Sequence, residues 1–283
     1  MQTSSSVTRA ARAGAVAVCG ATNVGLVRPQ NEDTFMIADL ASGELSCPCI
    51  GTDFSVSPSG VLLLVCDGMG GHAAGEIASR VAAQAIKESL VGEGPTVTQH
   101  PVESLKHAVL DANQAVLDEA GAKPEERGMG TTCTAAIMLP SRIVIGQVGD
   151  SRAYLYRDGK LHALTQDQSL VSQLMDAGLL DAEEARRSPY RNVLLQALGG
   201  KTRLEPVVTE VAVRASDRVL LCSDGLHGSV TDARIAEIVA TTRDLTAAAK
   251  ALIEEALHAG GPDNVTVVVA ECGGPSPELA SMR

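Results

Sequence analysis

Aromatic side chains are almost absent from this sequence of 283 residues. It has no Trp, and Phe and Tyr together make up 2% of it, whereas hydrophobic residues in total make up 45%. Val, Leu, Ile and Ala must therefore fill the core, which suits packed strands and alanine-rich helices. The sequence also has no apolar run long enough to cross a membrane. We expect a single globular domain with no membrane partner.

Positive charge is also scarce. The chain has 23 Lys and Arg residues against 34 Asp and Glu residues, which gives a formal net charge of -11. Nucleic-acid binding needs a basic stripe, and no cluster of Lys and Arg stands out, so we exclude nucleic acid as a partner. The same charge would repel a phosphorylated substrate unless something local reverses its sign.

Cysteine is present, but its spacing does not indicate a disulfide framework. The number is odd, seven, and five of the residues lie inside or beside apolar runs: Cys19, Cys66, Cys133, Cys222 and Cys272. A thiol in such a run behaves as a small hydrophobe, so we expect reduced core residues and a reducing, cytoplasmic compartment. Cys47 and Cys49 stand apart in "SCPCIG". Two thiols supply only two of the four ligands of a structural zinc site, so we favour an ordinary loop over a zinc-binding loop.

Secondary-structure signals indicate two stacked sheets. Short β-branched or Leu-rich runs begin near residues 15, 33, 61, 131, 142, 153, 160, 206, 218 and 264, and helical periodicity begins near residues 75, 101 and 244. The first run follows basic residues and resembles a signal peptide, but Gly14 breaks it and favours a strand. Because the helices are grouped, the pattern predicts an α+β fold, a sandwich of two antiparallel β-sheets flanked by α-helices.

The pattern changes between Leu164 and Pro206. This stretch is polar, helical only in pieces, and interrupted by Pro189 and a glycine pair. A surface insertion and a lid over a site are both compatible with it.

Aspartates recur at the ends of apolar strands. Three follow such a run and one precedes it: Asp67, Asp150, Asp224 and Asp263. Turn chemistry explains Asp158-Gly159, which lies between two short strands, but no returning strand follows Asp67 or Asp224. A carboxylate where buried backbone ends is costly unless a cation compensates it. Converging carboxylates are what Mg²⁺ or Mn²⁺ prefers.

A nucleotide site is the alternative for the glycine-rich stretch after Asp67. Gly68, Gly70 and Ala73 match the dinucleotide fingerprint G-x-G-x-x-A between a strand and a helix. Asp67 would direct its charge toward a pyrophosphate, and no following strand ends in a ribose-binding acid. We therefore favour the metal interpretation.

Six segments in order carry a resemblance to a known family: "RPQNEDTF", "VCDGMGGHAAGEIAS", "GTTCTAAI", "VGDSRAYLYRDGKL", "LLCSDGL" and "GPDNVTVVV". They resemble the bacterial branch of the metal-dependent, type 2C protein serine/threonine phosphatases. The resemblance implies the same sandwich fold and a first strand in place of a signal peptide. It implies a flexible N-terminus at 1–14, a phosphatase domain at 15–272 with a flap at about 165–200, and a C-terminal tail at 273–283.

The resemblance also implies a set of metal ligands: Glu32, Asp67, Gly68, Asp150, Asp224 and Asp263. Asp67 corresponds to a carboxylate that bridges two ions, and the Gly68 carbonyl to a ligand of one of them. Asp224 and Asp263 correspond to ligands of the other ion, and Glu32 to a residue that holds metal-bound water. Asp150 corresponds to a ligand of a third, weaker ion.

Three further residues have catalytic roles by resemblance. Arg28 is expected to bind the phosphate and Asp33 to orient the attacking water, although Arg28 and Glu32 taken alone would be interpreted as a surface ion pair. His72 is either the general acid for the leaving group or a helix-start histidine bonded to backbone.

The chain departs from the family pattern in three places. Many relatives carry Asp-His-Ser where this chain has Asp167-Gln168-Ser169, and His227 follows "SDGL" where other residues are common. Both departures leave flap geometry and substrate preference open. The stretch from Ser42 to Ser59 is longer than expected and has no assignment.

The implied activity is hydrolysis of phosphoserine and phosphothreonine in proteins. A water or hydroxide bridging two Mn²⁺ or Mg²⁺ ions would attack the phosphorus, with a third ion bound more weakly. Such an enzyme would act on phosphorylated proteins in cytoplasmic signalling and oppose serine/threonine kinases. The alternatives are a catalytically idle regulator that binds phosphoproteins, and the phosphatase of an anti-sigma-type switch.

Overall fold

The structure is a computed structural model that describes residues 15–45, 52–55, 60–70, 74–122, 128–200 and 203–273, with the side chains of 15, 52–55 and 182 excepted. The predictions for His72, for Cys47 and Cys49, for the N-terminus at 1–14 and for nearly all of the tail at 273–283 lie outside these residues.

Strands and helices account for most of the described chain. The strands are β1 (Ala15–Asn23), β2 (Asp33–Asp39), β3 (Thr52–Ser55), β4 (Val61–Met69), β5 (Gly130–Thr131), β6 (Cys133–Met138), β7 (Arg142–Val148), β8 (Arg152–Arg157), β9 (Lys160–Ala163), β10 (Val207–Ala212), β11 (Arg218–Cys222) and β12 (Val265–Cys272). The helices are α1 (Ala74–Glu93), α2 (Thr96–Gln99), α3 (Pro101–Ala122), α4 (Leu170–Asp176), α5 (Ala182–Arg187), α6 (Asp224–His227), α7 (Asp232–Thr241) and α8 (Leu245–His258).

The strands form two antiparallel sheets, which confirms the predicted fold class. One sheet has the order β3-β1-β12-β11-β8-β9, and the other has the order β10-β7-β6-β4-β2, with the short β5 paired to β4. In the second sheet β2 and β4 pair so that Asp33 lies opposite Asp67. The register thus brings the two carboxylates together at one end of the sheet.

The core has three layers made of aliphatic side chains. Leu63 and Leu221 belong to the layer between the sheets, Leu62 and Ile86 to the layer under α1 and α3, and the third layer lies under α7 and α8. Successive residues of a strand point to opposite faces, so β4 is buried on both sides and its sequence is a continuous apolar run. The few aromatic residues are therefore no obstacle to a complete core.

Most sequence predictions of single elements are confirmed. β2, β7 and β11 match the predicted runs, and the hairpin tip at Asp158-Gly159 has φ values of 52° and 78°. The five cysteines in apolar runs are buried. The prediction missed β3, in the unassigned stretch at 42–59, and α7, whose ten residues give too short a periodic pattern to stand out. Among the helices of the described chain, none is long and apolar enough to cross a membrane.

Candidate active site

A cavity of about 160 Å³ lies at the edge of the sandwich where the predicted site residues meet. Its lining residues are Arg28, Glu32, Asp67, Gly68, Met69, Gly70, Thr132, Asp150, Asn192, Leu194, Asp224, Asp263 and Asn264. The structure therefore brings together seven of the nine predicted residues: Arg28, Glu32, Asp67, Gly68, Asp150, Asp224 and Asp263. Asp33 is buried and pairs in the sheet with Asp67, and His72 lies outside the described residues. We call Glu32, Asp67, Asp150, Asp224 and Asp263 the carboxylate floor.

The backbone of Asp67 is held by the neighbouring β5–β6 segment. Its N–H donates to Thr132 Oγ1 at 2.9 Å, and its carbonyl oxygen accepts from Thr131 Oγ1 and from the Thr132 N–H, both at 2.9 Å. The main-chain groups of Asp67 are thus fully used within the protein. Its carboxylate is left for the cavity.

Gly68 lies where the end of β4 meets the start of α1. Its N–H donates to the carbonyl oxygen of Glu32 at 3.1 Å, and a Cβ on Gly68 would collide with the carbonyl oxygen of Gly75. A Cβ on Gly75 would in turn lie 2.7 Å from the Glu32 side chain. Close packing around Glu32 therefore accounts for these glycines, which supports the metal interpretation over the dinucleotide alternative.

Asn264 organises the other wall, a role that the sequence pattern did not predict. Its Oδ1 accepts from the Glu32 N–H at 2.8 Å, and its Nδ2 donates to the carbonyl oxygens of Val24 and Gln30, both at 2.9 Å. One amide therefore ties the loop that carries Arg28 to the start of β12. Asn264 lies in the segment "GPDNVTVVV", but the sequence pattern indicated a role only for the preceding residue, Asp263.

Arg28 is the one cationic side chain among the residues that line the cavity. Its Nη2 contacts Asp263 Oδ2 at 2.7 Å, and this bond raises the pKa of the guanidinium. The ion pair thus joins Arg28 to Asp263 and not to Glu32. One guanidinium faces five carboxylates, so the lining carries a large excess of negative charge.

Asp33 and Asp224 each have a buried oxygen that lacks a hydrogen-bond partner within the described residues. Asp33 Oδ2 accepts from Ser223 Oγ at 2.7 Å, but Asp33 Oδ1 and Asp224 Oδ1 have no partner. Buried polar atoms are almost always hydrogen-bonded, because leaving them unpaired costs free energy. These two oxygens therefore mark places where a cation or a water belongs.

Burial and mutual repulsion raise the pKa of the acidic residues here. Burial, followed by the charge of Asp33, raises the pKa of Asp67 well above its ordinary range. Burial and then the charge of a neighbouring aspartate raise the pKa of Asp150 to about 8 and that of Asp224 to about 6. Burial likewise raises the pKa of Asp33 to about 7. A divalent cation would remove this penalty.

The donor set fits a hard cation that keeps part of its water. In the described residues no three His, Cys, Asp or Glu side chains form a closed ligand group. The floor instead surrounds an open space beside the backbone of Gly68. Mg²⁺ and Mn²⁺ accept such a mixture of carboxylate, carbonyl and water oxygens.

A larger depression of about 500 Å³ lies around α5, at residues 180–189. Its acidic residues already have partners: Asp181 and Glu184 form the capping box of α5, and Glu183 pairs with Arg187 at 2.7 Å. No buried carboxylate lines it. The smaller cavity is therefore the better candidate for chemistry.

Known proteins similar to this chain share one family. The protein phosphatase 2C family model matches residues 51–259. Serine/threonine protein phosphatase PstP of Mycobacterium tuberculosis is 40% identical over 247 residues, which are 87% of this chain and 43% of PstP. The chain thus spans less than half the length of that relative. Serine/threonine phosphatase stp of Listeria monocytogenes is 35% identical over 251 residues, which are 88% of this chain and 93% of stp.

Solved structures agree with the sequence matches. The crystal structure of the M. tuberculosis phosphatase PstP/Ppp is similar with a TM-score of 0.77 at 37% identity and covers 92% of this chain and 99% of that one. The PstP catalytic domain in complex with two manganese ions gives a TM-score of 0.75 at 37% identity, covering 91% and 98%. By sequence and by fold, this chain belongs to the protein phosphatase 2C family.

Proposed function

We propose that this protein hydrolyses phosphoserine and phosphothreonine in phosphorylated proteins with the help of Mn²⁺ or Mg²⁺, and so opposes serine/threonine kinases. The observation that carries the proposal is the carboxylate floor, five acidic side chains that line one cavity beside one arginine, with an unpartnered buried oxygen on Asp224 and another on the adjacent Asp33. Membership of the phosphatase 2C family and the manganese ions in the similar PstP structure support it. The proposed catalytic domain is residues 15–272, with a flap at 165–200.

The residues that would hold cations are those of the floor together with Gly68. Asp67 and the Gly68 carbonyl would serve one ion, with Asp67 shared with a second ion that Asp224 and Asp263 complete. Glu32 would hold water, and Asp150 would contribute to a third, weaker ion. When bound, such ions activate the attacking water and neutralise charge on the phosphoryl oxygens. Their positive charge would also offset the electrostatic repulsion between an acidic protein and a phosphorylated substrate.

Arg28 would bind the phosphate of the substrate. A planar guanidinium binds phosphate through two parallel hydrogen bonds, which a single lysine cannot do. Its bond to Asp263 holds it at the mouth of the cavity before substrate arrives. Phosphate binding would then compete with this bond.

Asp33 would orient the attacking water and accept its proton at Oδ1. Ser223 fixes the other oxygen of this carboxylate, so Oδ1 has a defined direction. Burial raises the pKa of this carboxyl to about 7 in the metal-free site, and the charge of a bound cation would lower it, so that the group is an ionised acceptor near neutral pH. For His72 both alternatives stay open, a general acid for the leaving group or a helix-start residue bonded to backbone.

Phosphate release from a phosphothreonine peptide tests the proposal. Activity should vanish after chelation and return with Mn²⁺ or Mg²⁺. Asp158→Asn is a matched control, because this exposed hairpin carboxylate lies outside the site and its positive φ suits Asn. Full turnover with Zn²⁺ alone would contradict the oxygen-ligand assignment. Peptide binding without any phosphate release would instead support the catalytically idle regulator.

A further inference from the structure

Two departures from the family motifs, Gln168 and His227, both contact the backbone of Gly149 and Asp150. Gln168 Oε1 accepts from the Gly149 N–H at 3.0 Å, and the Gln168 N–H donates to the Gly149 carbonyl oxygen at 2.9 Å. His227 Nε2 lies 3.0 Å from the carbonyl oxygen of Asp150. A carbonyl oxygen can only accept, so this ring nitrogen carries the hydrogen. Residues far apart in sequence therefore hold the Gly149-Asp150 unit from two sides.

Gly149 leaves little freedom for this unit. Its φ is 97°, and a Cβ there would lie 2.7 Å from Thr132 Cγ2, so only glycine fits between the flap and β6. Gln147 Nε2 also donates to the Gly149 carbonyl oxygen, at 3.3 Å. The Gly149 N–H, by contrast, has only the Gln168 side chain as a hydrogen-bond partner among the described residues. Loss of that side chain would leave this one donor unpaired without dismantling the turn.

Gln168 also connects this unit to the part of the flap that lines the cavity. Its carbonyl oxygen accepts from the Leu195 N–H at 2.8 Å, and the next residue, Ser169, forms a β-bridge with Leu194. Leu194 itself lines the cavity. Hydrogen bonds thus connect the cavity-lining part of the flap, through Gln168, to Gly149, the residue that precedes Asp150.

We propose that Gln168 and His227 are positioning residues that set the place of the Asp150 carboxylate, and that Gln168 couples this place to the flap. The proposal rests on the proposed function, in which Asp150 contributes to the weakest cation. His227 supports Asp150 from α6, whose first residue is Asp224. The backbone of one floor residue is therefore held by the helix that carries another. The flap adjusts Asp150 from the opposite side.

The experiment compares Gln168→Met with Gln168→Glu. Methionine keeps the length of the side chain and removes the acceptor for the Gly149 N–H. Glutamate keeps the acceptor and replaces Nε2, which is buried and has no partner among the described atoms, by a second carboxylate oxygen. It therefore adds a negative charge without removing a hydrogen bond. His227→Phe serves as a second variant, because it removes the donor to Asp150 and keeps a buried ring. Melting temperatures establish that each variant is folded.

Three quantities are measured: amide exchange of Gly149 in metal-free protein, Mn²⁺ binding followed by electron paramagnetic resonance without substrate, and the Mn²⁺ concentration for half-maximal phosphate release. Gln168→Met should speed Gly149 exchange and weaken the last Mn²⁺ to bind by roughly tenfold, the usual cost of losing a residue that orients a ligand. His227→Phe should weaken the same ion. Gln168→Glu should keep wild-type exchange and should not weaken that ion.

Repeating Gln168→Met in an Asp150→Ala background completes a double-mutant cycle. If Gln168 acts through Asp150, the second substitution adds nothing to the first. Wild-type Mn²⁺ binding in Gln168→Met, or a tenfold loss that persists without Asp150, would overturn the inference. Failure of the wild-type protein to release phosphate would overturn the proposed function alone, because amide exchange and Mn²⁺ binding would still test the positioning role.

Discussion

The carboxylate floor and residues 165–200, the proposed flap, both contribute to the lining of one cavity, but they are built in different ways. Asp67 lies near the end of β4, a strand buried on both faces, where it pairs with Asp33 of β2. Asp224 begins α6, just after the buried strand β11. The flap contains only the short helices α4 and α5, and it exposes Leu179 and Tyr190 to solvent by 68% and 56%. One side of the site is an extension of the core, and the other is a surface segment.

The difference shows where each part of the proposed chemistry is encoded. Burying an unpaired carboxylate costs free energy, and it persists only if the rest of the fold is stable enough to offset that cost. The floor therefore depends on the packed sandwich. Within this segment the two helices begin at local caps, the Ser169 cap of α4 and the capping box of α5. Segments of that kind open at low cost and can differ between relatives without loss of the fold.

The largest effect should follow from removing one floor carboxylate. Asp67→Asn and Asp224→Asn should each lower turnover by roughly a thousandfold or more, since the loss of several kcal/mol of charge stabilisation has that size. The metal-free variants should be at least as stable as the wild type, because the repulsion among buried acids is relieved. Phosphate release at saturating Mn²⁺ and thermal melting measure both. Near-normal turnover in either variant would mean that the ligands are misassigned.

A smaller effect is expected at Asp150, where floor and flap meet. Asp150→Ala should keep the two tighter cations and slow hydrolysis by roughly ten- to a hundredfold. The alternative is that Asp150 merely caps the turn before β8. In that case the substitution would lower the melting temperature and spare the turnover of the folded protein. Metal stoichiometry, melting temperature and turnover on this one variant separate the two roles.

The next effect concerns the pH dependence of stability that the acids of the floor and the adjacent Asp33 cause in the metal-free protein. The folded-state pKa values of Asp224, Asp33 and Asp150 are about 6, 7 and 8, all above the ordinary aspartate value of 3.8. The folded state therefore binds more protons than the unfolded state, and the free energy of unfolding falls as pH rises from about 4 to about 8.

We expect the metal-free melting temperature to fall by roughly 5 °C or more between about pH 5 and pH 8, since each kcal/mol shifts it by about 2–4 °C in a domain of this size. Saturating Mn²⁺ should reduce that slope, because the cation takes the place of the protons. A metal-free melting temperature that rises across this range would contradict the assigned burial of these acids.

The smallest effect is predicted for a segment that belongs to neither region. Replacing Cys47 and Cys49 together by Ser should leave turnover and metal content unchanged, because two thiols are too few for a structural zinc site. Metal analysis of the purified double variant beside the wild type is the measurement. Loss of a bound zinc would show that these two residues are zinc ligands.

Local patterns were enough to predict the sandwich and most of the floor. Apolar runs of β-branched residues located β4, β11 and β12, and the aspartates at their ends indicated a cation site before any geometry was known. Short or weakly periodic segments escaped this approach. Neither α7 nor β3 is long enough for its hydrophobic periodicity to be distinguished from chance. Nothing in the local sequence indicates that Asn264 bonds to Glu32.

The sequence by itself determined which strands are buried and which of them end in an acid, because strand periodicity and burial cost act within a few residues. Tertiary structure alone decided that Arg28, Asp67, Asp224 and Asp263 line one cavity, that Arg28 pairs with Asp263, and that Gln168 and His227 both support Asp150. These contacts join residues up to 235 positions apart. They depend on how the sheets and helices pack, and no local pattern carries that information.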